Sequence, residues 1–163
     1  MPLTLLGAGM DETRIVCAAE GSAIQVTADV LIGAPHLTIA HEGPVAAQVV
    51  QASIGILELR NCRLTGGVCD DAQQRGGSGV FLQGTASATI TSFLMEGNQG
   101  HGIFIGQEAC VTVGGSSCSD SGLHGIAFHA RAGGTVTNTK AKDNGKHGVR
   151  LGEQVSTKLR ENT

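Results

Sequence analysis

The sequence predicts an all-β chain wound as a right-handed parallel β-helix, a solenoid of about six or seven coils with a 23-residue period. Three observations carry this expectation. His-Gly-apolar-x-apolar units recur as HGIFI at 101–105, HGIAF at 124–128 and HGVRL at 147–151, and SGVFL at 78–82 extends the same register backwards. No window of about 11 residues keeps a convincing helical period of roughly 3.6, so helix is nearly absent. The 163 residues include 25 Gly and 4 Phe but no Tyr or Trp, which suits a narrow interior of similar layers filled by Val, Ile, Leu, Ala, Met and Cys.

The opening PLTLLGAGMDETRIV reads as strand, turn, strand. Gly7 and Gly9 follow an apolar run as in a dinucleotide fingerprint. Glu12, however, stands where the third glycine belongs and no helix follows, so the glycines are turn residues. Residues 22–32 and 36–40 alternate and cluster as short strands, broken by Gly33, Pro35, Gly43 and Pro44. Residues 45–67 give three short apolar segments between small or polar turns.

From Ser78 onward the register is clear. Val80, Ile103, Ile126 and Val149 form one column, and Leu82, Ile105, Phe128 and Leu151 a second. Ile90, Val113, Val136 and Leu159 form a third, and Met95, Cys118 and Ala141 a fourth. Leu59 and Leu64 join the third and fourth columns once about eight extra residues are allowed ahead of Ser78. That surplus is VCDDAQQRGG, an insertion loop at 68–77. A left-handed hexapeptide helix needs about 18 residues per turn, and leucine-rich repeats carry a consensus missing here, so the period selects three short strands per coil. Coils stacked about 4.8 Å apart make a rod roughly 30 Å long, and stacking buries the apolar face that no single coil can bury.

Net charge is −3 with no basic stripe, which excludes nucleic acid as a main partner. No apolar run reaches membrane-spanning length, so no membrane partner is expected. Cys17, Cys62, Cys69, Cys110 and Cys118 fit no CxxC metal pattern and are expected as small buried apolar thiols, with Cys69 beside the Asp-rich stretch as the exception. No cofactor is implied. The chain is read as one domain over 1–163, whole or excised from a longer solenoid, cytoplasmic if complete and extracytoplasmic if a signal has been removed. No capping helix precedes the first strand, so self-association through the solenoid ends is a further expectation, with Lys158, Arg160 and Glu161 as charged guards.

The phrases TLLGAGMDETRIV and ILELRNCRLTGG and the repeated HG-apolar units resemble the right-handed β-helix repeat superfamily. That superfamily, pectate-lyase-like in fold, includes pectate lyases, alginate epimerases, periplasmic copper-site maturation proteins and repeat modules of eukaryotic adaptor proteins. The resemblance covers about residues 3–160 and rests on motifs of coil packing, so it implies the fold and not one activity. The Asp-Pro-His-Asp motif of the epimerases is missing here, and no Arg matches a lyase signature.

Three groups of residues are candidates for chemistry. His101, His124 and His147 should stack just before the first strand of each coil, either as a packing ladder or as a metal site. Asp120 and Asp143 repeat four positions earlier as turn residues, and Asn98, Ser121 and Asn144 form a small-polar column suited to capping turn amides. If Val80 and Leu82 point inward, alternation turns Phe81, Phe104, Ala127 and Arg150 outward, flanked by Gln83 and His129. Asp70, Asp71, Gln73, Gln74 and Arg75 concentrate charge in the insertion loop beside Cys69.

The leading reading is a non-catalytic module that binds a partner or builds an assembly, with Phe81, Gln83, Phe104, Asp70, Asp71 and Arg75 as ligand contacts and a protein or an acidic polysaccharide as partner. The alternative is a lyase- or epimerase-like protein acting on an acidic polysaccharide, with His124, His129 and Arg150 as base and charge-neutralising groups.

Overall fold

Each coil turns three corners, and each corner needs a residue that bends the chain sharply. The computed structural model describes residues 3–28, 31–70, 72 and 75–163. From Ser87 onward the corners are two, six and four residues long, and each contains a residue with left-handed backbone. Asn61, Ser92 and Asn138 (φ 50°, 52° and 47°) turn one corner, Gln107, Ala130 and Gln154 (φ 59°, 56° and 61°) another, and Gly97, Asp120 and Asp143 (φ 64°, 52° and 55°) the third. Gly and Asn reach this region most readily, so a column of them at one position reads as a corner.

Between corners the chain forms three parallel sheets, and the β-solenoid has about six turns. The first sheet stacks Ile24–Val26, Val50–Ala52, Val80–Leu82, Ile103–Ile105, Ile126–Phe128 and Val149–Leu151. The second, of seven strands, stacks Leu3–Thr4, Leu31–Pro35, Ile56–Arg60, Ser87–Thr91, Cys110–Gly114, Gly133–Thr137 and Ser156–Arg160. The third stacks Arg14–Cys17, Thr38–His41, Arg63–Thr65, Leu94–Glu96, Ser117–Ser119 and Lys140–Lys142. Among the described residues there is no helix, and so none long and apolar enough to cross a membrane.

The predicted columns are the registers of these sheets. Val80 pairs with Ile103, Ile103 with Ile126, and Ile126 with Val149. Leu59 pairs with Ile90 and Leu64 with Met95, across the eight-residue surplus. Leu82, Ile105, Phe128, Ile90, Val113, Val136, Met95 and Cys118 are all fully buried. Removing such side chains from water stabilises the stack by about 1.5–3 kcal/mol each. On the last coil Leu151 and Leu159 are 48% and 44% exposed, because a coil is covered only where another lies on it.

The structure departs from the sequence reading in three places. Gly33 and Pro35 do not break a strand; they lie within Leu31–Pro35, with Pro35 at its last position, where its carbonyl still accepts the Gly7 N–H at 3.0 Å. The insertion is an antiparallel ribbon, Cys69–Asp70 against Arg75–Gly76, and Ala47 and Val68 exchange two main-chain hydrogen bonds at its base. Of the cysteines only Cys62 and Cys118 are buried, and Cys110 is exposed, because its strand position points outward. Asp71, Gln73 and Gln74 lie outside the described residues.

Candidate functional site

The His-Gly pair owes its regularity to two separate contacts. A Cβ built on Gly102 would lie 2.5 Å from the carbonyl oxygen of Gly125, and one on Gly125 would lie 2.7 Å from that of Gly148. Glycine is therefore required by the close approach of successive coils. The histidines form a ladder beside it. His101 and His124 stack at 5.2 Å between ring centroids, and His124 and His147 at 5.1 Å, each pair 13° from parallel. The His124 N–H donates to Nδ1 of His101 at 3.4 Å, and the His147 N–H donates to Nδ1 of His124 at 3.2 Å.

Burial lowers the pKa of His101 to about 4, reinforced by His124, Arg150, His129 and Lys146. Burial also lowers that of His124, with His147, Arg150, Lys146 and His129 adding to the effect. Every charged neighbour here is cationic or becomes so on protonation, which adds to the desolvation cost of charging a ring.

The next corner holds Asn98 and Asn144, two coils apart with Ser121 at the position between them. Asn144 Oδ1 accepts the Ser121 N–H at 3.1 Å and its amide donates to the Cys118 carbonyl at 3.0 Å. Asn98 accepts the Gly67 N–H at 3.1 Å. Asn98 and Asn144 thus take the amide-capping roles expected of the small-polar column, whereas the Ser121 Oγ between them is buried with no partner among the described residues.

On the outward face of the first sheet, Phe81 and Phe104 are register partners whose rings stack 4.9 Å apart and 8° from parallel. His101 lies 5.4 Å from the Phe104 ring on one side and His129 lies 5.7 Å from it on another. Phe81 and Phe104 help line a groove of about 650 Å³ with Gln48, Gln51, Arg75, Ser78, Gln83, His101 and Leu123. Among the described residues no carboxylate lines it. The ribbon brings Arg75 over this face, and the Cys69 N–H anchors it by donating to Gln99 Oε1 at 3.0 Å.

A family model described as the right handed beta helix region matches residues 47–163, which includes every residue lining this groove. The chain belongs to the right-handed β-helix family. No curated protein and no solved structure gives a significant match.

Within this β-helix the predicted residues sort into distinct places. Phe81, Gln83, Phe104, Arg75 and His101 share the groove. His129 and Arg150 line a second depression of about 620 Å³, together with Glu153 and Gln154. His124 joins neither lining; it is 4% exposed, in the middle of the ladder. Ala127 occupies the outward register position between Phe104 and Arg150 but is fully buried. Asp70 is half-buried and does not line the groove; its carboxylate accepts the Ala72 N–H at 3.0 Å, closing the ribbon's turn. Among the described residues no group of three or more His, Cys, Asp or Glu is placed to hold a metal ion, and the three ladder rings stand in line rather than around a point.

Sequence reasoning missed Gln48, Gln51 and Leu123. Gln51 is the register partner of Phe81, and Gln48 Oε1 accepts the Ser78 N–H at 2.7 Å. Gln51 stands 30 residues before Phe81, whereas Leu59 stands 31 before Ile90, so carrying the columns back by the eight-residue surplus would have placed Val50 beneath Phe81 instead.

Proposed function

We propose that this β-helix domain is a non-catalytic binding module that seats a linear acidic glycan along the outward face of its first sheet. The stacked Phe81–Phe104 pair in the groove is the observation that carries this reading. The two rings face each other and present a continuous apolar ridge of ring edges, against which the C–H groups of a sugar chain can pack. Gln48, Gln51 and Gln83 supply amides for hydroxyls, and Arg75 supplies a guanidinium suited to a carboxylate. A ligand lying along the solenoid axis meets Gln48 and Gln51 on one coil, Phe81 and Gln83 on the next, and Phe104 on the one after.

Calorimetric titration at neutral pH with a uronic-acid hexamer and with a neutral hexamer of equal length tests this. Preferential binding of the acidic chain, weakened about tenfold in Phe104→Ala, is expected. Absence of binding to either chain by folded protein would overturn it.

A second reading, a lyase acting on the same polymers, is favoured by one observation: His129 and Arg150 line a single depression beside the groove. A base and a cation at one place are what proton abstraction beside a carboxylate needs. Its test is the rise in absorbance from unsaturated products. No rise with wild-type protein over hours would remove the lyase reading and leave the binding reading intact.

A further inference from the structure

A neutral imidazole carries one N–H and one lone-pair nitrogen, and the partner of one nitrogen fixes the character of the other. In His101 the lone pair is assigned. Nδ1 accepts the main-chain N–H of His124 from the next coil, so the proton of the neutral ring resides on Nε2. His124 is fixed in the same way by the N–H of His147. A main-chain amide cannot reverse its polarity, so neither ring can exchange tautomers without losing that bond. Burial and the cationic surroundings keep His101 neutral at ordinary pH.

Among the described residues Nε2 of His101 has no hydrogen-bond partner, and the residue is only partly buried. The residue lines the groove, with its ring against Phe104. We infer that His101 is a specificity-determining donor whose Nε2–H is fixed by the backbone of the following coil, so that the bound ligand places an oxygen acceptor, and not an N–H or O–H donor, opposite it. This rests on the groove reading above and deepens it. Arg75 attracts charge over a distance, whereas His101 selects hydrogen-bond polarity at contact. A ligand presenting an amine there would leave two donors facing each other in a partly desolvated site, which is penalised more heavily than a merely missing bond.

The test has two parts. Long-range ¹⁵N–¹H spectra of the free protein at pH 7.5 report the tautomer of each histidine, and the Nε2–H form is expected for His101 and His124. Titration with a uronic-acid hexamer then compares His101→Gln, which keeps an amide donor near the position of Nε2, with His101→Asn, which keeps an acceptor near Nδ1 but falls short of the ligand. His101→Gln is expected to bind within about threefold of wild type and His101→Asn about tenfold more weakly, both folded by circular dichroism. An Nδ1–H form in the free protein, or equal losses in the two variants, would overturn the inference while leaving the groove reading standing. A wild-type protein that binds no hexamer would overturn the groove reading and the ligand half of the inference, but not the tautomer assignment.

Discussion

The main-chain N–H of His147 donates to Nδ1 of His124 at 3.2 Å, so a side chain of one coil accepts from the backbone of the next. Protonating a ladder ring replaces that acceptor by a donor facing a donor. His101 is lowered from 6.5 to about 4 in the folded state, so the unfolded chain takes up its proton first as pH falls. The contribution is therefore complete above pH 6.5 and is lost as pH falls toward about 4. A shift of that size corresponds to roughly 3 kcal/mol at most, and to about 2 after allowance for the ring's contact with solvent. Urea unfolding at pH 7.5 and 4.5 should show this loss in wild type and a smaller one in His101→Asn. Equal pH dependence in both would contradict the ladder's role.

Gly125 and Gly114 should respond oppositely to alanine. At Gly125 the added Cβ meets the Gly148 oxygen at 2.7 Å and the Asn144 amide nitrogen at 2.8 Å, so coils must separate, at a cost of about 1–3 kcal/mol. At Gly114 it meets only Thr137 Oγ1 at 3.5 Å, so Gly114→Ala should fall within about 0.5 kcal/mol of wild type or stabilise. Thermal unfolding of the two variants decides this.

Leu82 and Leu151 belong to one column yet differ in cover, 0% against 48% exposed. Leu82→Ala should cost about 2–5 kcal/mol and Leu151→Ala less than about 1. Chemical denaturation separates these values easily.

Asn144→Ala removes an acceptor from the Ser121 N–H and a donor from the Cys118 carbonyl. The buried amide partners then lack bonds, so a loss of about 1–3 kcal/mol is expected. Faster hydrogen exchange at the Ser121 amide would locate the loss at this corner.

The second half of the chain was legible because equal spacing makes equivalent residues vertical neighbours; Ile103, Ile126 and Val149 reveal the sheet with no other information. The first half was harder to read. There Arg14 pairs with Thr38 and Ile24 with Val50, 24 and 26 residues on, so no constant period exists to be found. Alternation placed Phe81 and Phe104 outward correctly. It could not foresee that Ala127, small and between larger neighbours, is covered, or that Arg75 reaches the same groove from the ribbon. Hydrogen-bond polarity was also out of reach, since the spacing of the histidines does not indicate which nitrogen accepts.

Leu64 meets Met95 across the ribbon in the same alignment in which Met95 meets Cys118 without one. The stack therefore does not register how many residues leave and return at that corner. Segments of other lengths and chemistries can be exchanged there as cassettes, so that what the groove selects can evolve, or be redesigned, while the scaffold beneath it stays unchanged.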